Sequence, residues 1–141
     1  MKLGFTGTQR GMTGRQRASF RLLLVDLNVS ELHHGDCVGA DEEADADAKR
    51  MMIVKVVAHP PDDDKLRAFC GAPTVVLPPK PYLKRNQDIV DAGLDGLVAT
   101  PKDSAKPNSL RGQGTWTTIG YALKANRPVW IVYPDGKVGQ L

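Results

Sequence analysis

This sequence has little of several features that define common functional classes. Its 141 residues include only two cysteines, Cys37 and Cys70, which lie far apart and form no metal-ligand pair. We therefore expect reduced thiols and a cytoplasmic protein. No apolar run approaches the roughly 18 residues of a membrane span, and residues 1–5 enter a strand pattern directly. We expect neither secretion nor a membrane span.

Charge of one sign is equally scarce. The formal net charge is +3, and basic and acidic residues are interspersed. This gives no electrostatic footprint that would by itself indicate nucleic acid. Neither a P-loop lysine pattern nor a complete Gly-x-Gly-x-x-Gly fingerprint is present, which disfavours an ATPase and an ordinary dinucleotide-dependent dehydrogenase. The acidic run at residues 62–64 is explained by the start of a helix, so the sequence predicts no metal and no cofactor.

The hydrophobic pattern predicts one domain over residues 1–141. Predicted strands lie at residues 2–6, 31–34, 53–58, 74–77, 96–100 and 128–133. Predicted helices lie at residues 17–27, 41–51, 62–69, 82–91 and 116–125, the first preceded by a capping box at Thr13 and Gln16. Strands that alternate with helices predict an α/β fold, a Rossmann-like doubly wound three-layer sandwich with a mostly parallel sheet of about six strands.

Three glycine-bearing loops follow predicted strands. They lie at Gly7, at Gly35 and Gly39, and at Gly112 and Gly114. In a parallel sheet such loops meet at one edge, where ligands bind. The third loop precedes a helix for which Thr115 is the predicted N-cap, so unpaired N–H groups and a positive dipole end would face that edge. Each loop alone is equally explained as a tight turn, but together they predict an anionic, nucleotide-like ligand.

Four short motifs span nearly the whole chain. They are Gly4-Phe5-Thr6-Gly7, His34-Gly35-Asp36-x-x-Gly39-Ala40-Asp41, Arg85-Asn86-x-x-Ile89-Val90 and Gly112-x-Gly114-Thr115-Trp116-x-Thr118. Their order and spacing resemble the SLOG superfamily. This Rossmann-like group includes the LOG phosphoribohydrolases and the Rossmann domain of DNA processing protein A. The chain looks closest to the small stand-alone members of bacteria and phages. The resemblance implies a nucleotide-binding domain, as a sensor or carrier, that forms homo-oligomers.

Two branches of the superfamily imply different activities. The LOG enzymes cleave the N-glycosidic bond of nucleoside 5′-monophosphates with a catalytic Glu, and Thr118 stands at that position here. A threonine cannot replace a carboxylate in this chemistry, so a phosphoribohydrolase-like N-glycosidase is the alternative rather than the first expectation. DNA processing protein A binds single-stranded DNA, but only Trp116 is placed here to stack a base. A single-stranded DNA-binding module is therefore the second alternative.

The resemblance and the glycine loops together predict the ligand-binding residues. The predicted set is Gly7, Thr8, Gly35, Asp36, Gly39, Ala40, Asp41, Arg85, Asn86, Gly112, Gly114, Thr115 and Trp116. Arg85 would give a charge-assisted contact to the phosphate or a ribose, and Asp36 or Asp41 would accept from ribose hydroxyls. Simpler explanations exist for three of them. Asp41 is also explained as a cap at the start of a helix, and Arg85 as part of a solvated helix face. Trp116 is also explained as a core residue that packs against Trp130.

Two further features have no assigned role in this interpretation. His59 follows a predicted strand, where it either faces a ligand or has its ring satisfied by the loop backbone. The polar loop at residues 101–110 contains two prolines and precedes the third glycine loop.

Overall fold

A computed structural model describes residues 1–111 and 113–141 of the chain. The strands are β1 Lys2–Gly7, β2 Glu31–His34, β3 Lys55–Ala58, β4 Val75–Val76, β5 Gly96–Thr100, β6 Val129–Val132 and β7 Val138–Gln140. The helices are α1 Gly14–Asp26, α2 Ala40–Arg50, α3 Tyr82–Ala92 and α4 Gly114–Lys124. None of the helices in these ranges combines the length and apolar character needed to cross a membrane.

The strands form one sheet in the order β4-β3-β2-β1-β5-β6-β7. Strands β1 to β6 pair in parallel, and β7 is antiparallel to β6. The prediction of a mostly parallel α/β sheet is confirmed, with seven strands rather than about six. The chain first builds outward from β1 to β4 and then returns to the other side of β1 with β5. The strand order therefore reverses between β1 and β5, and ligands of open α/β sheets bind outside the carboxyl ends of such a pair.

Helices cover both faces of the sheet. The first core cluster joins α1 and α2 to one face, with Phe20, Leu24, Ala44 and Val98 among its buried members. The second joins α3 and α4 to the opposite face. Because side chains alternate along a strand, neighbouring residues of β5 serve different cores. The two clusters make the three layers that the hydrophobic pattern predicts.

The α1 start follows the predicted capping box. The Thr13 hydroxyl accepts from Gln16 N, and the Gln16 side chain accepts from Thr13 N. The side-chain amide of Gln16 also donates to the carbonyl oxygens of Pro101 and Val132, at 2.9 and 2.7 Å. This buried contact ties α1 to the ends of β5 and β6.

The predicted helix at residues 62–69 is wrong. This segment is a turn, and long-range contacts hold it in place. Asp36 accepts from Arg67 Nε at 3.1 Å and from Cys70 N at 2.8 Å, and its own carbonyl accepts from Ala68 N at 2.7 Å. The strand predicted at residues 74–77 shrinks to Val75–Val76, and β7 was not predicted because it follows a tight turn at Gly136 with φ +89°.

Candidate functional site

A cavity of about 430 Å³ opens at the carboxyl ends of β1 and β5, where the strand order reverses. Its wall comes from the loop after β1, the β2–α2 loop, α3, the loop after β5 and the start of α4, with Leu66 from the segment at residues 62–69. Predicted residues on this wall are Gly7, Thr8, Gly35, Asp41, Arg85, Asn86, Gly114, Thr115 and Trp116. The three glycine loops therefore do contribute to one cavity. Gly112 lies outside the described residues.

Two predicted residues of the second loop lie behind the cavity wall. Gly39 has φ +94°, and a Cβ atom there would overlap the backbone of Gln9. Ala40 N donates to Thr8 O at 3.0 Å. A Cβ atom on Gly7 would in turn overlap Ala40. These close contacts require small residues and fix the first loop against α2, so Gly39 and Ala40 shape the wall without lining it.

The positive end of α4 faces the cavity. The helix begins at Gly114, and its N-cap is Gln113, which makes no side-chain capping bond. The prediction of Thr115 as N-cap is wrong, because Thr115 already lies in the first turn. Gln113, Gly114 and Thr115 all line the cavity. The first-turn N–H groups have no acceptor within the helix and are available to an anion.

Gly114 allows α3 and α4 to approach closely. A Cβ atom at this position would overlap the Tyr82 hydroxyl. Tyr82 begins α3 and also lies beneath the guanidinium of Arg85, whose Cζ is 5.4 Å from the ring centroid. Tyr82 therefore touches both positively charged features of the wall. Its place on the wall was not predicted, although its i, i+3 spacing from Arg85 puts both on one helix face.

Arg85 is a buried cation on the cavity wall. It is 3% exposed, and its Nη1 donates to Gly35 O and, at 3.4 Å, to His59 O. The Cys37 sulfur lies 3.5 Å from Nη2. Among the described residues no carboxylate pairs with the guanidinium, and its buried Nε has no hydrogen-bond partner. The alternative explanation of Arg85 as part of a solvated helix face is wrong, because the side chain is buried.

Asp41 is the acidic side chain on the wall. Its carboxylate accepts from Cys37 N at 3.2 Å. Burial raises the pKa of Asp41, and the charge of Arg85 and the hydrogen bond from Cys37 N only partly oppose this. Burial likewise raises the pKa of the Cys37 thiol to about 11, so Cys37 is a neutral thiol rather than a nucleophilic thiolate. Both cysteines are free.

Positive charge prevails on the wall. Arg10, Arg85 and Lys102 line the cavity, against Asp41 alone among its acidic residues. Neither Arg10 nor Lys102 was predicted. A cavity with several cations, an exposed helix N-terminus and one carboxyl of raised pKa favours an anionic group that is joined to hydrogen-bond donors.

Trp116 and Asp36, two further residues of the predicted set, make contacts that stabilise the fold. Trp116 is 7% exposed and belongs to the second core cluster, whereas Trp130 belongs to the first, across the sheet. The predicted packing of Trp116 on Trp130 is therefore wrong. Trp116 also touches the cavity, and its buried Nε1 has no partner in the described chain. Asp36 is not on the wall, because its two oxygens are engaged by Arg67 and Cys70 N.

Thr118 is fully buried and does not line the cavity. Its hydroxyl donates to Gly114 O at 2.8 Å, one turn earlier in α4. This position therefore supports the helix start and has no path to a ligand.

One cluster has the residue types of a metal site. His34, Asp45 and Cys70 bring one ligand atom each within 4.8 Å of one another. Their hydrogen bonds explain the cluster without an ion. His34 Nδ1 accepts from Asp36 N at 3.0 Å, so its proton is on Nε2, which donates to Asp45 at 2.7 Å. Asp45 accepts again from Ala72 N at 3.0 Å. The nitrogen that would bind a metal is thus already protonated.

Comparisons with protein-family models, with curated proteins and with solved structures gave no match.

Proposed function

We propose that this chain is a SLOG-like sensor or carrier that binds a nucleotide or nucleotide-derived ligand in the cavity between β1 and β5. One observation carries the proposal: the buried guanidinium of Arg85 has no carboxylate partner among the described residues and lies on the cavity wall. A buried cation without a counter-ion is costly, and an anionic ligand would remove that cost.

The phosphate would bind between Arg85 and the start of α4. The free N–H groups of Gly114 and Thr115 suit phosphate oxygens, and Tyr82 joins the two features. The indole N–H of Trp116 is a further donor without a partner. Asp41 stands on the same wall and would accept from a ribose hydroxyl. The cavity volume of about 430 Å³ is within the range of small-molecule sites.

Native mass spectrometry tests the proposal directly. The chain is mixed with nucleoside mono- and diphosphates, NAD and ADP-ribose, and we expect one intact ligand to be retained. The Arg85→Met variant should lose about 2 kcal/mol or more of binding free energy, about 30-fold in Kd. Lys84→Met is the matched control, because it removes the same charge from the exposed neighbour on α3. No retained ligand, or equal losses in both variants, would rule out this anion site.

A phosphoribohydrolase-like N-glycosidase is the second candidate, and Asp41 favours it. The buried Asp41 carboxyl, whose pKa is raised, lies on the wall where a glycosidic bond would be placed. An acid of this kind can protonate a leaving base. Free base and ribose phosphate in the same mass spectra would support hydrolysis, and their loss in Asp41→Asn would assign the carboxyl. Intact ligand alone would leave the binding function.

A further inference from the structure

A second cavity of about 200 Å³ lies on the other side of Arg85. Its wall consists of His59, Leu77, Pro78, Lys80, Arg85 and Asp88. Leu77 and Pro78 give it an apolar side, while Lys80 and Asp88 form an ion pair of 2.7 Å at its rim. The proposed anion site does not use this cavity, and the two share only Arg85 among the residues that line them.

Glu31, His33 and His59 are buried or half-buried and form a hydrogen-bonded chain that ends at this cavity. Glu31 and His33 are two residues apart in β2, so they project from the same face of the sheet. His59 follows β3, the parallel neighbour of β2. Glu31 Oε2 is 2.7 Å from His33 Nε2, and His33 Nδ1 is 2.9 Å from His59 Nε2.

The direction of these hydrogen bonds is fixed at the Glu31 end. The hydrogen bond from His33, together with Lys55, lowers the pKa of Glu31, so its carboxylate only accepts. His33 must then carry its proton on Nε2. When both rings are neutral, His33 Nδ1 accepts and His59 Nε2 donates. The remaining nitrogen, His59 Nδ1, keeps its lone pair and has no partner among the described residues, although His59 is 5% exposed and lines the cavity.

We propose that Glu31, His33 and His59 form a proton relay, and that His59 Nδ1 takes a hydrogen bond and then the proton from a hydroxyl group of a ligand in the second cavity. The proton that leaves the ligand binds His59 Nδ1, while the proton on His59 Nε2 passes to His33 Nδ1. The products are a ligand anion, a neutral His59 in its other tautomer, and a His33 imidazolium beside the Glu31 carboxylate. The ammonium of Lys80 stands on the cavity wall, where it would stabilise the anion.

Burial and the charges around His59 keep the ring in its neutral form. Burial lowers the pKa of His59 to about 4, and the nearby His33, His34 and Arg85 act in the same direction. Asp88 opposes them, and it is itself paired with Lys80 and Lys84. His59 is therefore neutral at a pH where an ordinary histidine is largely protonated.

Diethyl pyrocarbonate provides the accessibility test, because it modifies neutral imidazole nitrogens that it can reach. The chain has three histidines, and fragmentation of the modified peptides separates the adjacent His33 and His34. We expect His59 to be modified as fast at about pH 5.5 as at about pH 7.5. His34 is the internal control, since it is fully buried with both nitrogens engaged. A His59 that resists the reagent in the folded chain would overturn the proposal.

Nitrogen NMR of the rings tests the relay itself. At about pH 8, where free imidazole is neutral, we expect His59 to carry its proton on Nε2 alone. His33→Leu removes the acceptor and should replace this single form by a mixture of tautomers. If that variant does not fold, Glu31→Leu removes the acceptor that orients His33, and it should have the same effect. A proton on Nδ1 in the wild type, or an unchanged His59 in the folded variants, would disprove the relay.

The two proposals can fail separately. Inorganic phosphate binding, measured by calorimetry, depends on Arg85 and the start of α4 and should be the same in wild type and His33→Leu. If Arg85→Met binds phosphate as well as the wild type while His59 keeps its proton on Nε2, the anion site fails and the relay stands. If Arg85→Met loses phosphate binding but His59 carries its proton on Nδ1, the relay fails and the anion site stands.

Discussion

Two of the regions that bury charged side chains in this molecule satisfy them differently. Beneath residues 67–72, Asp36 and Asp45 each have both carboxylate oxygens engaged by side chains or backbone N–H groups. On the cavity wall, Arg85 has no ionic partner in the described part of the chain. Buried charges that are fully paired hold a segment in place, whereas one without a counter-ion indicates a ligand. The contrast separates carboxylates that anchor a segment from a buried cation that we propose as a ligand-binding group.

The largest expected effect is a loss of stability when one of the fully paired carboxylates is removed. Asp36→Ala leaves Arg67 and Cys70 N without their acceptor and should lower the free energy of unfolding by about 3 kcal/mol. Urea denaturation followed by circular dichroism measures this loss. Asp62→Ala is the control, because Asp62 is exposed and makes no side-chain contact in the described residues. If the two variants are equally stable, Asp36 does not anchor this segment.

Arg85→Met should change ligand affinity much more than it changes stability. It removes a buried charge that lacks a carboxylate partner, so we expect the free energy of unfolding to change by no more than about 1 kcal/mol. The ligand affinity of the same variant should fall about 30-fold or more. Denaturation and ligand titration on one preparation compare the two effects. A collapse in stability would make Arg85 a structural residue and weaken the comparison.

Two segments of the chain show which parts of the structure can be predicted from sequence. Local patterns predicted the course of the chain from β1 to β3, because strand alternation and the Thr13 capping box are encoded within short windows. The segment at residues 62–69 could not be predicted in this way. Its acidic start suits a helix, but a carboxylate some thirty residues earlier holds it as a turn.

The site was predictable where topology alone positions residues. The glycine loops follow parallel strands, so Gly7, Gly35 and Gly114 had to come to one edge. Tyr82 was missed because its position depends on how closely α3 approaches α4. Trp116 and Trp130 were wrongly paired because the side of the sheet that each occupies depends on the layer of α4 and the register of β6.

A smaller effect is expected on the pH dependence of stability, through the titration of Asp41. Because burial raises its pKa in the folded state, folding binds the proton more tightly, and stability is lost as pH rises through the range above the ordinary aspartate value. Asp41→Asn keeps an acceptor for Cys37 N and should remove this slope, so the variant is more stable than wild type near neutral pH. Denaturation between about pH 4 and pH 8 measures the slope. Asp103→Asn, on an exposed loop, should leave it unchanged.

The same substitution at Asp41 also sharpens the comparison between binding and turnover. It removes the negative charge on a wall that otherwise carries Arg10, Arg85 and Lys102, so phosphate binding should become tighter. Calorimetry with inorganic phosphate measures the change. Weaker binding in Asp41→Asn would mean that the carboxylate orders the wall rather than opposes the anion.

The smallest effect concerns Thr118, which the sequence resemblance would align with the LOG catalytic Glu. Its hydroxyl donates to Gly114 O, and the side chain is sealed from the cavity. Thr118→Val keeps the shape and removes one hydrogen bond, so the free energy of unfolding should fall by about 1 kcal/mol. Ligand affinity and any turnover should remain those of the wild type. Thr117→Val is the matched control, since Thr117 makes the same contact to Gln113 O at 3.1 Å one position earlier. A loss of turnover in Thr118→Val but not in Thr117→Val would contradict this expectation and assign the Thr118 hydroxyl a role in turnover.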